Sequence, residues 1–316
     1  MKKKRILRGS KYRLSDCHLH GTNFIQESDS FKNLIRQMDK ANIEKAIVFG
    51  LPVKKIFTES ERTPPEYYLD NDSRCYYFYE TDDIIAEEYS KLNQSEQQRI
   101  IPFLCGFNPM DRSSVNIIER KFNRYKGVFK GVGECFLRHD DLTALTLGER
   151  PRCNSMAMHL IADFCAKNDL PLLLHQNVTS VGFDTHPEFL GEIKELLSHH
   201  PNTTVIWAHC GISRNVRIPN YNRLVINMLE NFPNLFVDYS WVVYDEILDD
   251  KKEPKKRWLE LTENFADRIL LGSDLILDFA LLGPTMRRYD VLLDKLTPEA
   301  REKICTGNLE RLLKLN

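Results

Sequence analysis

Residues 170–211 read LPLLLHQNVTSVGFDTHPEFLGEIKELLSHHPNTTVIWAHCG. Two short apolar runs frame this segment, LLLH at 172–175 and TVIWAH at 204–209. Between them, residues 186–200 place their apolar side chains at helical spacing, and Pro201 stops that helix. Both runs are continuous rather than alternating, as in parallel strands covered on both faces. Strand, crossover helix and strand make one βαβ unit.

The same rhythm runs through the rest of the chain. Strands are predicted at 14–17, 45–50, 100–107, 127–135, 172–175, 204–209, 235–239 and 269–273. Helices are predicted at 30–41, 82–92, 113–122, 154–168, 186–200, 221–231, 255–265 and 290–296, with a short tail helix at 309–315. Eight strands alternating with eight helices predict a (β/α)8 TIM barrel, read as a single domain over residues 1–316. A doubly wound open sheet is the competing architecture. The segment 51–81 breaks the rhythm and is rich in Tyr, Phe and charge (PPEYYLDNDSRCYYFYE). A connection that long reads as a lid, a binding loop, a partner surface or an ordered excursion on the rim.

The chain has 316 residues and 42 % hydrophobic composition, ample for a large core. Its 44 Lys+Arg balance 45 Asp+Glu, for a net charge of −1. That argues against a dedicated duplex-binding protein, though not against a nuclease with a small local site. The eight cysteines are scattered rather than clustered, so free thiols in a reducing, cytoplasmic setting are expected. The N-terminal MKKKRILRGS is basic without an apolar core, unlike a secretory signal. The apolar stretch 269–282 is interrupted by Asp274 and Asp278 and is too short to span a bilayer.

Barrel enzymes carry their functional groups at the C-terminal ends of strands. Here the first strand runs into His18 and His20, the fourth into Glu134, the fifth into His175, the sixth into His209 and the eighth into Asp274. Each signal is weak alone, because a His-x-His pair arises by chance and a strand-end histidine is often structural. Together they surround one mouth. His18 and His20 share a strand face, about 7 Å apart, and converging imidazoles can reach one cation with bonds of about 2.0–2.1 Å. Asp274 supplies a third ligand, and Glu134 can bridge two ions. Nitrogen and carboxylate donors without thiolate suit Zn²⁺, with Mn²⁺, Fe²⁺ or Mg²⁺ as alternatives. Cys17 and Cys210 read as packing residues.

These motifs, DCHLHG at 16–21, GVGE at 131–134, LLLHQN at 172–177, VIWAHCG at 205–211, LLGSD at 270–274 and GNLERLL at 307–313, resemble the amidohydrolase superfamily. The likeness is to its amidohydrolase-related, TatD-like branch of metal-dependent barrel hydrolases. The resemblance implies that His18, His20, His175 and His209 bind metal. It also implies that Glu134 bridges, with Lys130, which shares its strand parity, as the alternative bridging residue, and that Asp274 binds metal and takes a proton from the attacking water. His209 acts as a catalytic residue in place of a ligand if only one ion is held. Whether the site holds one ion or two is open at this point.

The expected activity is hydrolysis of a small-molecule amide, ester or lactone bond by a metal-activated water. The alternatives are a TatD-like nuclease or phosphoesterase acting on nucleic acid, a non-oxidative decarboxylase using the same site, and a non-catalytic binding scaffold. Arg214, Arg217 and Arg138 are the candidate substrate contacts, since arginine forks suit an anionic group. His139, Trp241 and Tyr244 read as rim packing. A homodimer is expected at the level of the superfamily only.

Overall fold

The computed structural model describes residues 9–214 and 216–314. The basic stretch 1–8 and the last residue of the expected tail helix lie outside them. The strands are β1 (Leu14–His20), β2 (Ile43–Phe49), β3 (Val53–Lys55), β4 (Cys75–Tyr77), β5 (Ile100–Leu104), β6 (Gly131–Phe136), β7 (Leu172–His175), β8 (Val205–Trp207), β9 (Leu235–Tyr239), β10 (Ile269–Leu271) and β11 (Leu275–Ile276).

Nine of the described strands form one sheet in the order β10-β9-β8-β7-β6-β5-β2-β1-β11, and every pairing in it is parallel. β10 falls within the expected eighth strand, 269–273, while β11 lies beyond it, after Gly272, Ser273 and Asp274. β10 pairs with β9 and β11 with β1, which closes the sheet into a (β/α)8 barrel. The break is pinned to β1: Ser273 N–H donates to Asp16 Oδ1 at 2.9 Å, and Asp274 N–H donates to the His18 carbonyl at 2.8 Å.

Side chains alternate between two apolar layers, as strand geometry requires. Leu173, Ile206, Leu270, Phe103 and Phe49 fill the barrel interior. Their neighbours Leu172, Leu174, Val205, Trp207 and Leu271 face outward, and pack with residues of the surrounding helices such as Leu34, Ile161, Leu196, Val225 and Leu261. The first of those helices, α1 (Phe31–Ala41), starts where the Ser30 hydroxyl caps Lys32 N–H.

Near the mouth, β1 and β6 break the alternation. Between Asp16 and Leu19, three residue steps on β1 oppose two on β2. Between Val132 and Cys135, β6 does the same against β7. Such bulges turn two successive residues to one side. Cys17 therefore packs in the interior layer, while His18 also faces inward, its ring 5.0 Å from Phe49. Cys17 is a packing residue as expected, on the same side of the strand as His18. Parity misplaces Lys130, which is exposed in a groove with Arg13 and Glu44. It precedes β6 rather than ending it, so it is no candidate for a bridge.

The excursion 51–81 is ordered. β3 and β4 pair as an antiparallel ribbon, and Phe24, Leu51, Val53, Tyr68, Cys75, Phe136 and Leu142 form a separate cluster beneath it. Lys55 is fully buried there, and its ammonium donates to the carbonyls of Tyr68 at 2.5 Å and Asn71 at 2.9 Å. All eight cysteines are free and buried. Among the described residues no helix is long and apolar enough to cross a membrane.

Candidate metal centre

All six expected ligands meet at the C-terminal mouth of the barrel. His18 Nε2 lies 3.3 Å from Glu134 Oε2 and 3.3 Å from Asp274 Oδ1. His20 Nε2 lies 3.4 and 3.2 Å from the same two atoms. On the other side of Glu134, its Oε1 lies 2.8 Å from His175 Nδ1 and 3.5 Å from His209 Nε2. His18, His20, Glu134, His175 and His209 are buried.

These separations fit a cation better than they fit hydrogen bonds. Tetrahedral coordination with bonds of about 2.0–2.1 Å has donor–donor edges of about 3.3–3.4 Å. The four distances around His18, His20, Glu134 and Asp274 match that edge. His18 Nε2 and Glu134 Oε2 are buried with no hydrogen-bond partner, an arrangement that protein interiors otherwise avoid. Ligand atoms of His18, His20 and Glu134 lie mutually within 4.8 Å, as do those of His18, His209 and Asp274, and of Glu134, His175 and His209. Two donor sets therefore overlap at Glu134, with room for one ion or two.

Three of the four rings are anchored from behind. His18 Nδ1 meets Asp238 Oδ2 at 3.0 Å. His20 Nδ1 meets the Gly50 carbonyl at 3.3 Å. His209 Nδ1 meets Ser240 Oγ at 2.7 Å, and that hydroxyl donates onward to Asp238. Each anchor accepts a hydrogen bond from Nδ1–H and leaves Nε2 pointing inward, the outer support that metal-ligating histidines require.

The electrostatics agree. Burial opposes ionisation of Glu134, but His18 and the other rings outweigh it and hold its pKa well below the usual carboxylate range. Asp274 is depressed against the same burial by the His18 and His20 rings that face it. Burial also works against charge on His18, yet Glu134 and Asp238 lift its pKa well above normal. The mouth is built around positive charge, whether a proton or a cation. Backbone strain collects here too. His209, Cys210, Trp241 and Asp274 have φ of 55°, 51°, 53° and 55°, a region that L-residues enter at a cost.

Above these groups lies a cavity of about 250 Å³ lined by Phe24, Tyr67, Tyr68, Phe136, His139 and Trp241. Of the three arginines expected at the substrate, Arg214 is beside this cavity. It donates to Tyr68 Oη and lies over the Tyr68 and Trp241 rings. The other two are committed elsewhere. Arg138 spends its fork on Glu192, at 3.1 and 2.5 Å, and lies over Phe189. Arg217 is exposed and pairs with Asp184 at 3.2 Å. His139 and Trp241 line the cavity instead of merely packing the rim. Asp238 and Ser240, in VDYS at the end of β9, were not among the candidates, although an acidic residue ending the seventh strand was the available signal.

A family model for amidohydrolases matches residues 140–315, more than half of the chain. The chain belongs to the amidohydrolase family. Solved structures agree on the fold. A TIM-barrel protein from Bordetella bronchiseptica is 15 % identical with a TM-score of 0.61, over 96 % of this chain and 99 % of its own. A zinc-bound amidohydrolase from Burkholderia multivorans is 11 % identical with a TM-score of 0.57, over 96 % and 100 %. A 2,6-dihydroxybenzoate decarboxylase from Rhizobium is 16 % identical with a TM-score of 0.54, over 96 % and 99 %. No curated protein matches the chain at a significant level. This amidohydrolase is thus a metal-dependent enzyme of the hydrolase type, and its buried His and carboxylate donors suit a divalent cation.

Proposed function

We propose that this amidohydrolase hydrolyses an amide, ester or lactone bond of a small, flat, anionic molecule. The observation that carries this reading is the donor geometry around Glu134: imidazole and carboxylate atoms 3.2–3.4 Å apart at the base of the cavity. His18, His20, Glu134 and Asp274 would hold one divalent cation, zinc by donor type, and His175 and His209 with Glu134 a second. A cation there supplies Lewis acidity, which lowers the pKa of water from 15.7 to about 7.

The chain's own groups do the rest. Asp274 is ionised at neutral pH, because His18 and His20 depress its pKa, and its carboxylate takes the proton of the attacking water. Where one ion is held, His209 is no ligand, and its ring, oriented by Ser240, relays that proton toward the leaving group. Tyr68, Phe136 and Trp241 hold a planar substrate and exclude bulk water. Arg214 pairs with the substrate's anionic group. Eight buried free thiols fit a reducing compartment such as the cytoplasm.

The ring-lined cavity also favours a second reading, non-oxidative decarboxylation of an aromatic acid, the bond class of the Rhizobium relative. A polynucleotide gains little from so small a mouth. The test is a panel of lactones, esters, cyclic amides and aromatic acids, assayed with zinc- and manganese-loaded protein beside Asp274→Asn. Hydrolysis lost by at least 100-fold in the variant supports the proposal. Carbon dioxide release without hydrolysis replaces it with the second reading. Turnover of no substrate in the panel leaves the scaffold alternative.

A further inference from the structure

The mouth cavity holds one acidic group that the proposed reaction leaves idle. Among the described residues lining it, Asp278 is the one carboxylate outside the candidate metal ligands. It is exposed, and its side chain has no ion pair or hydrogen bond among the described residues. Asp278 stands at the N-cap of the 3₁₀ turn Phe279–Leu281, where an aspartate ordinarily accepts from the turn's own N–H groups, yet it makes no such bond. Capping therefore does not account for it. The backbone on both sides is held in place. Phe279 is buried in the outer apolar layer and Leu277 packs against it, while Leu277 N–H donates to the His20 carbonyl at 3.4 Å. Leu277 has φ of 59°, which a bulky side chain adopts at a cost. That strain falls at the step from β11 to the carboxylate on the cavity wall.

A carboxylate can only accept hydrogen bonds. An ester or lactone oxygen set against Asp278 opposes acceptor to acceptor, whereas an amide or ammonium nitrogen brings the missing donor. Arg214 offers the opposite sign beside the Tyr68 and Trp241 rings. We propose that Asp278 is a specificity-determining residue that accepts a hydrogen bond from an N–H group of the substrate, which thus carries a donor nitrogen as well as the anionic group met by Arg214. This inference rests on the hydrolase reading above and narrows it. Of amide, ester and lactone, a primary or secondary amide is the bond that supplies such a nitrogen by itself. A site that hydrogen-bonds an N–H rejects the analogue that lacks it, because the acceptor is then left unpaired against the bound molecule.

The experiment uses full-length, zinc-loaded protein and three planar anions of similar shape: acetylbenzoate, carbamoylbenzoate and aminomethylbenzoate, each as meta and para isomers. The first offers only a carbonyl oxygen, the second an amide N–H and the third an ammonium. Calorimetric titration gives Kd for each. Native protein should bind a donor-bearing probe about 10-fold tighter than the acetyl probe of the same isomer, the scale of one hydrogen bond to a charged group. Whichever donor binds tighter tells amide from ammonium. Asp278→Ala should erase the preference. Asp278→Asn, which keeps an acceptor oxygen without the charge, should erase it for the ammonium and keep part of it for the amide. Arg214→Met should weaken all three probes alike. Equal Kd values for the three probes in native protein, or a preference that survives Asp278→Ala, overturn the proposal and leave the hydrolase reading standing. If none of the three binds, the planar-anion reading fails and this inference with it.

Discussion

Asp238 touches two of the inward histidines without facing the cavity. One oxygen accepts from the His18 ring at 3.0 Å, and the other from the His209 backbone N–H at 3.0 Å. Asp238→Asn keeps the volume but puts an amide N–H against one of these donors. Metal affinity, read by competition with a chromogenic chelator, should fall about 10–100-fold while the fold persists. Asp16 gives a test by pH. Burial raises its pKa to about 6, against backbone and side-chain hydrogen bonds from Ser273. The folded state therefore holds a proton that the unfolded state releases near pH 4, and stability from this group is lost as pH rises through 6. Glu134, Asp238 and Asp274 are depressed, so their contribution is nearly level above pH 5. In metal-free protein, urea unfolding should show the native chain losing about 1 kcal/mol relative to Asp16→Asn between pH 5 and pH 7. The inward ligands were legible because each ends an apolar run in a residue that can bind metal. Asp238 was not, because its value lies in which nitrogen of a neighbour it holds, and spacing does not carry that.

Strands at 172–175 and 235–239 were legible to the residue, since uninterrupted apolar runs leave no other reading. The two bulges were not, and they decide what reaches the mouth. In β6, Gly133 has φ +124°, and an added Cβ would sit 2.2 Å from the Leu173 carbonyl oxygen. That backbone atom belongs to the neighbouring strand and cannot step aside. Gly133→Ala should therefore cost about 3 kcal/mol or more and displace Glu134. Gly127 also has a positive φ, +80°, but nothing lies within 4 Å of its added Cβ. Gly127→Ala should cost only about 1 kcal/mol. Thermal unfolding of the two variants side by side separates steric collision from backbone preference. The ribbon of β3 and β4 was illegible for another reason: strands of three residues fall below what an alternation pattern can register.

Across the molecule, buried carboxylates and four imidazoles are held together at one end of the barrel with little but one another to balance their charge. A cation that binds only the folded form adds its binding free energy to stability, about 2.7 kcal/mol at a hundredfold excess over Kd. Exhaustive chelation should lower Tm by roughly 5–10 °C, and zinc should restore it. His18→Ala/His20→Ala should show a much smaller response to chelator. The architecture itself was the most legible feature, because eight repeats of one pattern reinforce each other and errors at single boundaries cancel.

The seam of the barrel has a temporal meaning. β1 is made first, yet one of its edges is covered only by β11, near the far end of the described chain. Asp274 sits in that seam and takes its place from the His18 carbonyl. During synthesis, a chain that has reached residue 268 already contains His18, His20, Glu134, His175 and His209, but the barrel is still open on one side. The acid that completes the constellation arrives with the act of closure. The polypeptide thus orders its own maturation: the reactive centre is completed only when the barrel closes.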